Sequence, residues 1–193
     1  MGSMTYADKI RAKHAKVIVS LSGDCEHKKG VTKIYVDGSY NTQTQRAGWG
    51  WVAIDHKEKI VASAYGNEND KNYGSRNITG ECKAVVEALM WVKQYAQDGK
   101  IVIVHDYIGL GKWAAGEWKT NTQIAKDYVE AVKQIGVSAE FRHIKGHAGN
   151  KWNEEADILA ERGKTSSDRT FGKFIPHAEI KKYKKEVWKT ITG

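Results

Sequence analysis

Five side chains stand out as candidates for chemistry: Asp37, Glu81, Asp106, Asp157 and His147. Asp37 follows the β-rich run Ile34-Tyr35-Val36 and opens an Asp-Gly-Ser turn signal. Asp106 comes after the apolar run Ile101-Val102-Ile103-Val104 and His105. Glu81 falls on the first turn of a helical pattern, four residues before Val85 and on its core-facing side. Asp157 lies one residue from the apolar stripe Trp152, Ala156, Leu159 and Ala160. Alone, each acid reads as an ordinary turn, cap or paired structural residue, and for Asp37 in Asp-Gly that reading is the stronger one. Together, four carboxylates at the edge of a core can converge on one patch, where they would repel one another and be costly to desolvate. Lys83 is the one cation close to any of them in sequence. A hard divalent cation is the natural counter-charge, because Mg²⁺ takes oxygen ligands and is held by a few carboxylates plus substrate phosphate. Two such ions about 4 Å apart activate water and stabilise the leaving oxygen in phosphodiester hydrolysis. His147, with Gly146 before it and Gly149 after, sits on a loop where an imidazole can exchange protons and move. His143, four residues earlier, raises the thought of a zinc pair, but no further His or Cys accompanies the two and zinc is rejected.

The elements that must position these groups follow from periodicity. Residues 46–54 and 59–66 read as β segments joined by a hairpin at Asp55-His56-Lys57-Glu58, and 67–77 as a loop. Ala84, Val85, Ala88, Leu89, Val92 and Tyr95 recur at three and four, giving an amphipathic helix from 79. Residues 101–104 are a strand buried on both faces. Helices are expected near 108–116, near 121–135 and from 150, where Asn150 is a good N-cap, with a strand at 137–143. The order is an antiparallel meander followed by right-handed βαβ crossovers, an α/β fold with a five-stranded mixed sheet flanked by helices. The strands of Asp37 and Asp106 are then parallel, and both acids emerge at the carboxyl ends of strands.

The composition fits one domain with a sizeable core plus tails: 193 residues, 40% hydrophobic, one proline and seven tryptophans. The net charge of +8 is uneven: +3 in residues 1–30, +4 in 172–193 and only +1 between. Basic ends suit a polyanionic partner but are also commonly just solvated. Residues 5–30 show no strong pattern beyond a short basic helix at 7–16 and a strand at 17–21. No apolar run of about 18 residues suggests a membrane span, and the N-terminus lacks a secretory signal pattern. Two cysteines, Cys25 and Cys82, without metal-ligand spacing suggest reduced thiols; a cytoplasmic, monomeric protein away from membranes is expected.

The motifs Ile-Tyr-Val-Asp-Gly-Ser at 34–39, Thr-Gly-Glu-Cys-Lys-Ala at 79–84, His-Asp at 105–106 and Lys-Gly-His-Ala-Gly-Asn…Asn-Glu-Glu-Ala-Asp at 145–157 together resemble ribonuclease H type 1. The resemblance covers roughly 32–165 with all four motifs in family order. It implies the RNase H-like fold and endonucleolytic cutting of the RNA strand of RNA/DNA hybrids, leaving 5′-phosphate and 3′-hydroxyl ends. It also implies two Mg²⁺ ions, with Mn²⁺ as a substitute, on Asp37, Glu81, Asp106 and Asp157. His147 matches a loop histidine that assists proton movement or product release. Gly38, Ser39, Asn77 and Asn153 match substrate-contacting positions, while Ile78, Tyr107 and Ile108 depart from the family's polar residues. Trp113 and Trp118-Lys119-Thr120 resemble the region that grips the DNA strand, though core packing is an equal reading for each tryptophan; Trp49, Trp51 and Trp91 are read as core. The expected organisation is a basic extension at 1–30, a catalytic domain at 31–165 and a basic extension at 166–193, where the 173–189 segment takes the place of the family's basic protrusion. The other readings are a non-catalytic hybrid-binding module on the same fold, against which the intact carboxylate quartet argues, and an integrase- or transposase-type nuclease, which lacks the Lys-Gly-His-Ala-Gly loop.

Overall fold

A computed structural model describes residues 17–20, 30–96 and 99–165. The expected helix at 7–16, Cys25 and the basic segment 173–189 lie outside the described residues. The strands are β1 (Val17–Ser20), β2 (Val31–Asn41), β3 (Arg46–Ile54), β4 (Ile60–Asn69), β5 (Lys100–His105) and β6 (Ala139–His143). The helices are α1 (Asn77–Tyr95), α2 (Gly109–Ala114), α3 (Gln123–Ile135) and α4 (Lys151–Thr165). The sheet runs β1-β6-β5-β2-β3-β4. β2 through β6 form the mixed five-stranded sheet: β2, β3 and β4 pair antiparallel, while β2–β5 and β5–β6 are parallel. β1 adds a short sixth strand parallel to β6.

Period-two alternation divides the core between the two faces of this sheet. Ile34 and Val36 of β2, with Ile101 and Ile103 of β5, join α1 and α3 through Val85, Leu89, Val92, Tyr128 and Val132. Tyr35, Val102 and Val104 point the other way and pack with Trp152, Ala156 and Leu159 of α4. Strands buried on both faces read as continuous apolar runs, which is why 101–104 shows no alternation in sequence. Fully burying a Leu, Ile or Val contributes about 1.5–3 kcal/mol each, so the central strands anchor the sheet.

The Asp-Gly-Ser after Val36 is no turn. β2 continues through it to Asn41, with Asp37 opposite Gly50 and Gly38 opposite Trp49 on β3. The ladder with β3 overrides the local turn preference, and the sheet turns only at residues 42–45, where Asn41 Oδ1 accepts from the Gln43 and Thr44 N–H groups. β4 likewise outruns its expected end, pairing as far as Asn69 with Arg46. The hairpin at 55–59 is as expected, closed by Asp55 N–H donating to the Lys59 carbonyl at 2.9 Å.

Candidate active site

Three elements meet at the carboxyl end of the central parallel pair. β2 and β5 run in register to Tyr35 opposite Val104, so two residues further on Asp37 and Asp106 come side by side. α1 begins above them because Gly38 and Gly80 allow contact between main chains. A Cβ at Gly38 would overlap the Asn77 carbonyl and the Glu81 N–H, and one at Gly80 would overlap the Gly48 carbonyl. On the other face, Gly50 admits α4, since a Cβ there would overlap the backbone of Ala156 and Ala160.

The result is a compact trio. Asp37, Glu81 and Asp106 each offer a carboxylate oxygen, all within 4.8 Å of one another. Asp37 is 6% exposed and Glu81 4%. Burial, then the charges of Asp106 and Asp157, pushes the Asp37 carboxyl up to about 7, against partial relief from hydrogen bonds with Glu81 and Gly38. The Gly38 N–H donates to Asp37 Oδ1 at 2.8 Å. Glu81 is raised well above the ordinary carboxylate range by burial and by the charges of Asp37 and Asp106. Its Oε2 is buried without a hydrogen-bond partner among the described residues. Lys83, the neighbouring cation in sequence, is turned to Glu68 at 2.9 Å and Glu87 at 3.7 Å. Crowded carboxylates with an orphaned buried oxygen and, among the described residues, no cation paired to them fit a hard divalent cation held by oxygens.

Asp157, on the half-buried side of α4, stands outside the trio but close enough for its charge to act on Asp37. α4 starts at the expected cap, with Asn150 Oδ1 accepting from Trp152 N–H at 3.1 Å and Asn153 N–H at 3.0 Å. The loop between β6 and α4 passes over Asp106, whose Oδ2 would lie 2.7 Å from a Cβ on Gly146. His147 on that loop is exposed. The backbone of this loop is left-handed at His147 itself, at φ 51°, and at Gly149, at φ 80°.

The remaining sequence candidates divide. Asn77 is exposed at the start of α1. Gly38 is half-buried, and Ser39 is buried with its hydroxyl donating to Glu161. Asn153 is buried, its Oδ1 without a partner among the described residues. Trp118, at 44% exposure, and Lys119 face solvent and Thr120 is half-buried. Trp113 is instead a core residue, 9% exposed and edge-on to Tyr107 and Tyr128 at 5.6 and 6.4 Å between ring centroids. Trp49, Trp51 and Trp91 are core, as read from sequence.

Sequence reasoning passed over Asp70. This buried acid accepts from the N–H groups of Ser75 and Arg76 at 3.2 and 2.8 Å and from the Thr79 hydroxyl at 2.5 Å. It thereby shapes the loop that delivers Asn77 and holds Arg76 at φ 55°, an unusual value for a residue with a Cβ. Its signal was an Asx-turn acid in a Gly/Asn/Ser loop, which resembles any surface turn.

Against known proteins, the RNase H family model matches residues 29–165. The chain belongs to the RNase H family. Curated relatives named ribonuclease H include one from Janthinobacterium sp. (strain Marseille), 31% identical over 147 residues and covering 67% of this chain and 93% of the relative. Another, from Ehrlichia canis (strain Jake), is 31% identical over 138 residues, covering 66% and 90%. Among solved structures, RNase H1 from Halobacterium salinarum NRC-1 superposes with a TM-score of 0.56 at 23% identity, covering 69% of this chain and 97% of that one. LC11-RNase H1 in complex with an RNA/DNA hybrid gives 0.57 at 20% identity, covering 68% and 95%. At these identities the structures attest the RNase H fold. The family match spans all five candidates, Asp37, Glu81, Asp106, His147 and Asp157. No described helix of this RNase H family member is long and apolar enough to cross a membrane.

Proposed function

We propose that this chain is an endoribonuclease that hydrolyses the RNA strand of RNA/DNA hybrids by two-metal-ion catalysis, leaving 5′-phosphate and 3′-hydroxyl ends. The observation that carries the reading is the trio of buried Asp37 and Glu81 with half-buried Asp106, and Asp157 beside it, in a member of the RNase H family. These four would hold Mg²⁺, with Mn²⁺ as a substitute, and the bound cations would supply charge neutralisation and water activation at the scissile phosphate. All four carboxylates come from one chain, so a monomer suffices.

The protein's own groups divide the remaining work. The Gly38 N–H fixes one oxygen of Asp37 and so the direction its carboxylate faces. Asn77, exposed at the mouth of the site, offers an amide that can both donate to and accept from a ribose 2′-hydroxyl, the group that distinguishes RNA from DNA. The Ser39 hydroxyl already donates to Glu161, so its substrate contact falls to main-chain groups. Exposed His147 can exchange protons with solvent and with the departing 3′-oxygen. Trp118, Lys119 and Thr120 form the contact with the DNA strand, while Trp113 supports that region from beneath.

The test is substrate choice. With Mg²⁺, a hybrid labelled on either strand should be cut in the RNA strand alone, with a 5′-phosphate on the downstream fragment by mass spectrometry, while duplex DNA and single-stranded RNA stay intact. Binding of the hybrid without any cleavage would favour the non-catalytic module instead.

A further inference from the structure

Two histidines sit directly behind Asp106 at the ends of neighbouring parallel strands. His105 closes β5 and His143 closes β6, opposite each other in the ladder, with ring centroids 5.9 Å apart. His143 Nε2 lies 3.0 Å from the main-chain carbonyl of Asp106. His105 Nδ1 lies 2.9 Å from the carbonyl of Tyr107, which also accepts from the Leu110 N–H at 3.2 Å. A carbonyl can only accept, so the imidazoles must donate: His143 from Nε2–H and His105 from Nδ1–H. Two adjacent residues therefore carry opposite ring nitrogens as donors, each aimed at one of two successive carbonyls.

Those carbonyls lie where the backbone leaves regular structure. The β5 ladder stops at His105, and α2 begins only at Gly109. Asp106 must leave the sheet here while keeping its carboxylate within the 4.8 Å trio. Packing does not explain His105. It is 1% exposed, and its Nε2 is buried without a partner among the described residues. A buried acceptor left unpaired costs about 1–3 kcal/mol, which an apolar side chain of similar size would avoid. What the imidazole alone supplies is the Nδ1–H.

We propose that His143 and His105 are positioning residues, an imidazole clamp on the carbonyls of Asp106 and Tyr107 that sets the Asp106 carboxylate for metal binding. The proposal rests on the reading of Asp106 as a ligand. Groups that orient a ligand from behind are typically worth about 10- to 100-fold in metal affinity, and the clamp belongs in that range. Because His143 also begins the loop that passes over Asp106, one strand end sets both the ligand and its cover.

Two measurements decide it. In the parent at mildly alkaline pH, imidazole ¹⁵N NMR should show the Nε2–H tautomer at His143 and the Nδ1–H tautomer at His105; the reverse at His143 would overturn the clamp whatever the variants do. Mn²⁺ affinity is then measured calorimetrically for His143→Leu, His143→Gln and Asp106→Asn, alongside denaturant unfolding of each. His143→Leu should bind Mn²⁺ about tenfold more weakly, and His143→Gln, whose amide can still donate, should recover most of that loss. A His143→Leu variant with lower stability but parental Mn²⁺ affinity, beside an Asp106→Asn variant that has lost affinity, would overturn the clamp and leave the metal site standing. Parental affinity in all three would overturn both.

Discussion

Replacing Asp37 with asparagine should abolish cleavage and yet make the metal-free protein more stable. Asp37 is 6% exposed, and its carboxyl is lifted from 3.8 to about 7 by burial and by the charges of Asp106 and Asp157. A carboxyl with a raised folded-state pKa contributes stability below its unfolded value, and that contribution is lost as pH rises from about 4 to about 7. A shift of about three units corresponds to roughly 4 kcal/mol at about pH 8, and linkage leaves roughly 2 kcal/mol at about pH 5. Asparagine carries no charge and can still accept the Gly38 N–H, now at 2.8 Å from Asp37 Oδ1. In EDTA, Asp37→Asn should therefore gain up to about 4 kcal/mol at about pH 8, or a Tm higher by up to about 8–16 °C, and distinctly less at about pH 5. Saturating Mg²⁺ should reverse the order, because only the parent keeps the full ligand set and gains its binding free energy. Thermal and urea unfolding at the two pH values, with EDTA and with Mg²⁺, provide the comparison. A variant less stable than the parent at both pH values, or a gain independent of pH, would refute the crowded-carboxylate account.

Three further outcomes follow from the same geometry. His147→Ala should lower kcat with KM largely kept, whereas Asp157→Asn should chiefly raise the Mg²⁺ concentration needed for half-maximal rate; steady-state kinetics at varied hybrid and Mg²⁺ separates the two. Trp118→Ala should change stability by under about 0.5 kcal/mol while raising KM for the hybrid, and Trp113→Ala, in the core, should cost about 3–5 kcal/mol by urea unfolding. Burial pushes His105 down to about 4, so it contributes stability above its ordinary 6.5 that is lost as pH falls towards about 4. Over that range the parent should lose roughly 3 kcal/mol more than His105→Gln, read from paired acid-unfolding curves.

Much of this architecture was legible in the sequence because its signals are periodic or chemically narrow. The stripe through Val85, Leu89 and Val92 marks α1, and the unbroken Ile101–Val104 marks a doubly buried strand, as the structure has them. The helix-edge and strand-edge acids can be placed once the crossovers make β2 and β5 parallel. What escaped depends on partners distant in sequence. Asp37-Gly38-Ser39 reads locally as a turn, and only the pairing with β3 keeps it extended. The tight seating of α1 on β2 needs Gly38 and Gly80 against each other's backbones, a relation between residues some forty positions apart. Asp70 looks like a surface-loop acid until its three donors are assembled around it. In the sequence His143 suggests no more than half of a zinc pair, since nothing there reveals that it reaches the Asp106 carbonyl.

The most direct test of the central claim is a single cleavage assay. A hybrid labelled on its RNA strand is incubated with Mg²⁺ and either the parent or Asp106→Asn, a near-isosteric change that removes one carboxylate oxygen and its charge from the trio. The account predicts RNA fragments from the parent and a rate about a hundred- to a thousandfold lower from the variant, the scale of loss when a charge-stabilising group is removed from an active site. No cleavage by the parent, or equal cleavage by both, would contradict it.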